Sequence, residues 1–322
     1  MITRRGLIAG AFSLLSAQQA AEADDLPIVG WLFNGRPGLS YTWKRIVADL
    51  QMLGYVDGVT VRYVPRFAPD PAQLPLLASE IAALSPRAVY ANGDEAARVA
   101  AAQWPKVPIV AMTDDHVGAG LTDSLSHPSR NVTGVSRLET ELDTKRLELL
   151  HELVPIANSI LVLRDPQTSW PTRAAALEEG AARLGVKLVI RDIRGSNDVD
   201  SAVAAGKTAG AGAMLILGSP LLSSSAVEPR IRRAATARRL PTMVQIPRQV
   251  AYGNLAAYGI DEEATIMRLA QMLDRVLKGT PPQNIPIEQP TKFELAINLQ
   301  VARELGLTVP PSLLDLANEV IE

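Results

Sequence analysis

Residues 28–64 read IVGWLFNGRPGLSYTWKRIVADLQMLGYVDGVTVRYV, and this stretch decides the fold. An aliphatic run, IVGWLF (28–33), leads through a Gly/Pro loop into the helix-like YTWKRIVADLQMLG (41–54), and a β-branched run, VTVRYV (59–64), follows. Strand, amphipathic helix and strand in that order make a right-handed βαβ crossover with parallel strands. The unit recurs. Further strand-like runs begin at RAVYA (87), PIVAM (108), ILVLR (160), VKLVIR (186), AMLIL (213) and PTMVQI (241). Between them lie helical stretches such as PAQLPLLASEIAALS (71–85), TRAAALEEGAARLG (172–185) and VEPRIRRAATARRLP (227–241).

The cadence breaks twice. Between 113 and 159 it gives way to HPSRNVTGVS and a long helix, ELDTKRLELLHELVP, and after 246 to YGNLAAYGIDEEA. A chain of 322 residues exceeds the usual single-core size. The pattern therefore predicts an α/β protein of two doubly wound parallel-sheet lobes joined by crossing strands, with a cleft where the carboxyl ends of the strands face each other. Near the C-terminus, QPTKFELAINLQVARELG (289–306) carries marks of a helix: Thr291 as N-cap with Glu294 as its capping-box partner, Gly306 as the stop, and Pro310–Pro311 beyond.

Composition excludes several classes. With 47% hydrophobic and 20% charged residues the chain is ordinary for a globular protein. Its net charge of −2 lacks the basic footprint of a nucleic-acid binder. Residues 1–23 have a basic start at Arg4–Arg5, an apolar core from Leu7 to Leu15, and Ala21-Glu22-Ala23 before Asp24. These are the parts of a secretory signal peptide, too short to span a membrane. The segment TRRGLI also suits a twin-arginine signal, so the Sec and twin-arginine routes both stand. Removing Arg4, Arg5 and Glu22 takes the formal charge from −2 to −3. The absence of cysteine excludes a disulfide framework, thiolate metal sites, a cysteine nucleophile and a lipid-bearing cysteine at the cleavage point. No later apolar run reaches the roughly 18 residues of a membrane span. The mature protein is expected free in the periplasm.

Enzyme signatures are missing. His116, His127 and His151 show no metal-pair or base–nucleophile spacing, and there is no G-x-S-x-G, Walker loop or H-E-x-x-H. AAGKTAGAGA (204–213) contains Gly-Lys-Thr, yet it precedes a strand and lacks the loop's first glycine, so it reads as a helix end.

Eight segments then carry a resemblance. They are LGYVDGVTVRY (53–63), DPAQLPLLASEIAAL (70–84), VPIVAM (107–112), VGAGLTDSLSHPSRNVTGVS (117–136), KRLELLHELVP (145–155), LAAYGIDEE (255–263), LDRVLKGTPPQNIPIEQPTKFELAINL (273–299) and ARELGLTVPPSLLDLANEVIE (302–322). Together they resemble the substrate-binding proteins of ABC importers with the type I periplasmic-binding fold, in the branch that includes tryptophan-type binding proteins. The resemblance implies a three-strand hinge with crossings near 135–139, 254–260 and 286–291, and a late segment that clasps the lobes. It implies lobe one at 24–136 with about 260–287, and lobe two at 137–259 with about 288–322, after the signal peptide at 1–23. It implies a small-molecule ligand, separate ABC permease and ATPase subunits, a monomer, no cofactor, no metal and no catalysis. A sensor subunit that binds without delivering would use the same cleft, and both readings stand here.

The same resemblance places ligand loops at FNGRPG (33–38), ANGDEAA (91–97), MTDDHVG (112–118), RDPQTSWPT (164–172), GSPLLSS (218–224) and IPRQVAYGN (246–254). Asn34, Gly93, Asp94, Glu95, Asp114, Asp115, His116, Ser169, Trp170, Ser219, Arg248 and Tyr258 are the candidate ligand contacts. For Asp, Asn and Ser at strand–helix junctions, capping and turn formation fit equally well. Trp170 sits in a Pro-flanked loop as a cleft aromatic, and Tyr258 sits at a hinge crossing, where packing is as good a reading. Family members commonly have Gly-Thr-Pro at Gly93-Asp94-Glu95, Gly-Asp-Pro at Asp114-Asp115-His116, Arg-Glu-Phe at Pro247-Arg248-Gln249, and Asp at Ser219. The cleft chemistry therefore differs from theirs. A lobe-one carboxylate facing the cleft implies a small polar or zwitterionic ligand, with Arg248 holding a carboxylate or stacking on a ring.

Overall fold

A computed structural model describes residues 26–35, 41–166 and 170–322. The expected signal peptide, residues 36–38 of the first candidate loop, Ser169 and the Trp170 side chain lie outside what is described. Along the chain run β1 (Ile28–Asn34), α1 (Tyr41–Met52), β2 (Arg62–Ala68), α2 (Leu74–Ala82), β3 (Ala88–Asn92), α3 (Asp94–Gln103), β4 (Ile109–Thr113) and β5 (Val132–Ser136). Then come α4 (Glu139–Leu153), β6 (Ser159–Arg164), α5 (Trp170–Leu184), β7 (Lys187–Asp192), α6 (Val199–Thr208), β8 (Ala213–Ile216), α7 (Glu228–Ala237), β9 (Thr242–Val244) and β10 (Ala256–Ile260). The chain closes with α8 (Glu262–Leu277), β11 (Phe293–Asn298), α9 (Leu299–Leu305), α10 (Pro311–Leu316) and β12 (Glu319–Ile321).

Two sheets form, ordered β2-β1-β3-β4-β5 and β12-β11-β10-β9-β8-β6-β7. The first is wholly parallel, and the second is parallel except where β11 runs against β10. The core of the second, β7-β6-β8-β9-β10, repeats the 2-1-3-4-5 order of the first. That is one doubly wound plan used twice. Both faces of each sheet are covered, which is why the strands read as continuous apolar runs. In β1, Val29, Trp31 and Phe33 enter one core with α1 and α8 residues, while Leu32 enters the other with α2 and α3 residues. In β6, Ile160 and Val162 face one way and Leu161 and Leu163 the other.

The chain crosses between sheets three times. It leaves the first sheet after Ser136 and returns after Ile260 into α8, whose Ile266, Leu269, Leu273 and Val276 pack under the first sheet. It crosses again beyond Glu288, whose amide donates to Gly134 O at 2.9 Å and whose carbonyl accepts from Ser136 N at 2.9 Å.

One expectation is corrected. The segment 291–298 is not helical: Phe293–Asn298 is β11, antiparallel to β10 with Ala257 opposite Ala296. Leu295 and Ile297 join one core and Ala296 the other, the period-2 signature of a strand buried on both faces. No Thr291–Glu294 capping box forms, because Glu294 lies within that strand opposite Gly259. The helix starts seven residues later, where Asn298 Oδ1 accepts from Val301 N at 2.9 Å. Its stop is as expected: Gly306 takes φ +75°, a left-handed conformation that glycine adopts without steric cost. AAGKTAGAGA likewise closes α6 and leads into β8.

Candidate functional site

The carboxyl ends of both sheets face each other, and a cavity of about 150 Å³ lies between them. Its aromatic wall is Phe33 at the end of β1, Phe67 at the end of β2 and Tyr41 at the start of α1. Phe33 and Phe67 stack with centroids 4.8 Å apart, and Phe33 backs onto Trp31, Trp43 and Tyr90. The polar wall comes from Asn34, Asn92 and Arg137 on one side and Ser219, Ser223, Gln245 and Arg248 on the other. The loops after β1 and β8 nearly touch, since a methyl built on Gly35 would lie 3.9 Å from Pro220 Cβ.

Arg137 is the residue the sequence reading missed, although it stands on the first crossing. Its guanidinium donates to Asp114 Oδ1, while its Nε is buried with no hydrogen-bond partner. An unpaired buried donor is costly, and Arg137 also lines the cavity. Behind it lies an ion network. Arg173 on α5 donates from Nε to Asp143 Oδ2 at 2.7 Å and from Nη1 to Gly218 O at 3.1 Å, and Nη1 lies 3.5 Å from Asp114 Oδ2. Arg146 donates to Glu139 and Asp143, both at 2.8 Å, and to the backbone oxygen of Tyr258 at 2.6 Å. Burial pushes the Glu139 carboxyl up, but Arg146, Arg137 and Arg173 outweigh it and hold the group at about 2. Three guanidiniums face three carboxylates, so buried charge is balanced throughout.

Of the expected residues, Asn34, Ser219 and Arg248 line this cavity. Ser219 Oγ also accepts from Leu222 N at 3.0 Å, so it caps as well. Arg248 pairs with Glu262 and holds its guanidinium 4.2 Å over the Tyr41 ring. The lobe-one acids do not line it. Gly93 is the N-cap of α3, Asp94 Oδ1 accepts from Asp114 N at 2.8 Å, and Glu95 pairs with Arg98. Asp114 belongs to the network, and Asp115 is exposed in a turn where Oδ1 accepts from Val117 N at 3.0 Å. His116 is wholly buried with Nδ1 2.6 Å from Thr113 Oγ1, and burial lowers its pKa to about 4. Tyr258 packs at the hinge, its ring stacked on Phe293.

A wider groove of about 560 Å³ shares Tyr41, Ile246, Arg248 and Glu262 with the cavity. It adds Arg45 and the carboxylates of Asp261, Glu263, Glu294 and Glu319, so its field is negative. Burial, then Asp261, Glu319 and Glu263, raises the pKa of Glu294. Among the described residues there is no group of three or more His, Cys, Asp or Glu placed to hold a metal ion. No helix among them is long and apolar enough to cross a membrane.

Known proteins are similar along nearly the whole length. The curated "Tyrosine-binding protein" of Clostridioides difficile (strain R20291) is 26% identical over 275 residues, 84% of this chain and 78% of its own. The ABC domain of Streptococcus pneumoniae in complex with L-Trp superposes with a TM-score of 0.81 at 24% identity, over 92% of this chain and all of that one. A conserved domain protein of Vibrio cholerae gives the same TM-score and coverage at 26% identity. The two-lobed architecture is thus the type I periplasmic-binding fold. The family model for ABC transporter substrate binding proteins matches residues 33–321, and this chain belongs to that family.

Proposed function

We propose that the protein is the exported solute-binding component of an ABC importer. It acts as a monomer that captures a small zwitterionic, amino-acid-like molecule with an aromatic portion and presents it to a separate permease and ATPase. Residues 26–136 with 261–287 form one jaw and residues 139–260 with 290–322 the other, closing about the three crossings. The observation that carries this reading is the Arg137 guanidinium lining one cavity together with Phe33, Phe67 and Tyr41. A carboxylate suits the guanidinium edge and a ring suits the wall. Glu262 is the cavity's carboxylate for an ammonium. Of the similar proteins, one is named as tyrosine-binding and another holds L-Trp, which supports the same class.

Size and field narrow the class. About 150 Å³ of space accommodates roughly ten water-sized positions, the scale of a free amino acid and not of a peptide. The negative groove disfavours a dianion. Isothermal titration with L-tryptophan, L-tyrosine and a dicarboxylate tests the proposal. One aromatic amino acid should bind, and Arg137→Gln should weaken it by about 1.5–3 kcal/mol, the worth of a charge-assisted hydrogen bond. Preference for the dicarboxylate, or indifference to Arg137→Gln, would overturn it. In cells, deleting the permease should abolish uptake of that amino acid while the purified protein still binds it. Uptake surviving that deletion, with a transcriptional response lost on deleting the binding protein, would make it a sensor.

A further inference from the structure

Resting on the carboxylate reading of Arg137, we infer that Asp114 and Arg173 are positioning residues for ligand capture. They make recognition of the carboxylate and closure of the jaws a single event. Arg137 has rotatable bonds enough to leave the cleft, and its guanidinium is held by the bond to Asp114 Oδ1, with the charges of Glu139 and Asp94 also near. That bond engages one edge of the guanidinium, and the side chain stays 18% exposed on the cavity wall. Asp114 is itself held from three directions. Its amide donates to Asp94 Oδ1 at 2.8 Å, and its carbonyl accepts from Ser136 Oγ at 3.2 Å. Its second carboxylate oxygen, Oδ2, faces Arg173 Nη1 at 3.5 Å.

The third contact comes from the opposite jaw. Arg173 is carried by α5, which packs with the seven-stranded sheet, while Asp114 follows β4 of the five-stranded sheet. One carboxylate thus bridges the ligand-facing arginine of the hinge and an arginine of the other jaw. Arg173 is in turn locked by Asp143 and by Gly218 O, and Gly218 immediately precedes Ser219 on the cleft wall. Asp143 shares Arg146, whose Nε grips Tyr258 O on the hinge strand β10. When the jaws part, Arg173 leaves Asp114, and the carboxylate that orients Arg137 loses one of the three contacts that hold it in place. Closed jaws restore that contact and keep Arg137 on the cleft wall. Affinity for a carboxylate is highest only in the closed state, which is the differential affinity a ligand needs to drive closure.

The test compares acid with amide. Calorimetry with L-tryptophan and L-tryptophanamide, and with L-tyrosine and L-tyrosinamide, gives the acid-to-amide affinity ratio, expected at ten- to hundredfold for the wild type. Asp114→Asn should reduce that ratio about tenfold, whereas Arg173→Lys, which keeps the charge, should preserve most of it. Arg173→Met should behave as Asp114→Asn and also enlarge the radius of gyration by small-angle scattering relative to Arg173→Lys. A purely structural role would weaken acid and amide alike, and an unchanged ratio in Asp114→Asn overturns the inference. A wild type that binds acid and amide equally instead refutes the carboxylate reading of Arg137. If no probe binds at millimolar concentration, scattering alone decides the interlobe part: equal radii for wild type, Asp114→Asn and Arg173→Met overturn it.

Discussion

Two arginines of the seven-stranded lobe reach across to the other lobe, and they do so in opposite surroundings. Arg173 meets Asp114 at the back of the cleft with its side chain 1% exposed. Arg248 meets Glu262 and Tyr41 at the mouth with its side chain 39% exposed. The chemistry is the same guanidinium; the dielectric is not. A buried ion pair draws little net stability from its own attraction, but removing one partner strands the other without water. An exposed pair loses little when broken, because water and salt replace the partner. The back of the cleft is therefore built for rigidity and the mouth for exchange.

Deleting charge at the back should have the largest effect. Arg173→Met leaves Asp143 and Asp114 each short of a cation, and about 3–5 kcal/mol of unfolding free energy should be lost. Urea denaturation at pH 7 measures it. A loss below about 1 kcal/mol would mean that the network tolerates an open valence, and the contrast with the mouth would disappear.

Acid should dissect the back in two stages. His116 titrates at about 4 when folded against a usual 6.5, so the unfolded chain takes its proton first as pH falls. Stability then declines from pH 6.5 and levels off below pH 4, by about 3 kcal/mol in all at about 1.4 kcal/mol per unit. Glu139, held at about 2, adds stability that is complete above its usual 4.5 and is lost as pH falls through its folded value. His116→Gln should flatten the upper window and Glu139→Gln the lower one, read by urea midpoints from pH 7 downward. Coincident curves for wild type and His116→Gln above pH 4.5 would exclude the histidine as the cause.

These contrasts also explain what the sequence disclosed. Four strands of each sheet were legible because short runs such as IVGWLF and ILVLR had to be apolar on both faces, and helices of clear periodicity separated them. Phe293–Asn298 was misread because Thr291, Glu294 and Gly306 supply cap chemistry at plausible spacing, while Leu295, Ala296 and Ile297 are consecutive. Consecutive apolar residues suit a buried helix and a two-faced strand alike, and the partner that decides, β10, lies more than thirty residues upstream. In the site, Asn34, Ser219 and Arg248 were reachable from loop position alone. The acids Asp94, Glu95, Asp114 and Asp115 were not assignable, because their partners are a backbone amide, a helical neighbour, two distant arginines and a turn. Arg137 escaped because nothing local marks an arginine whose Nε stays unpaired.

Breaking the mouth contact should have the smallest effect. Arg248 lies over Tyr41 at 4.2 Å and pairs with Glu262, while desolvation lowers its pKa. An exposed cation–π contact contributes about 0.5–1 kcal/mol, and a surface ion pair contributes a similar amount or less. Arg248→Ala should therefore leave unfolding free energy within about 0.5 kcal/mol of wild type, since a site this accessible strands no buried charge. Ligand affinity should fall by no more than about fivefold, mostly through faster dissociation, because one bond closing the jaws has been lost. Part of that loss should vanish in the wild type at 0.5 M salt, where screening within about 4 Å already weakens the Glu262 pair. Stopped-flow dissociation at low and high salt, for wild type, Arg248→Ala and Tyr41→Leu, separates the parts: the cation–π share is lost in Tyr41→Leu at both salts, and the ion-pair share only at low salt. If Arg248→Ala instead weakens binding a hundredfold without regard to salt, Arg248 grips the ligand itself, and the mouth is part of the recognition site and not a clasp over it.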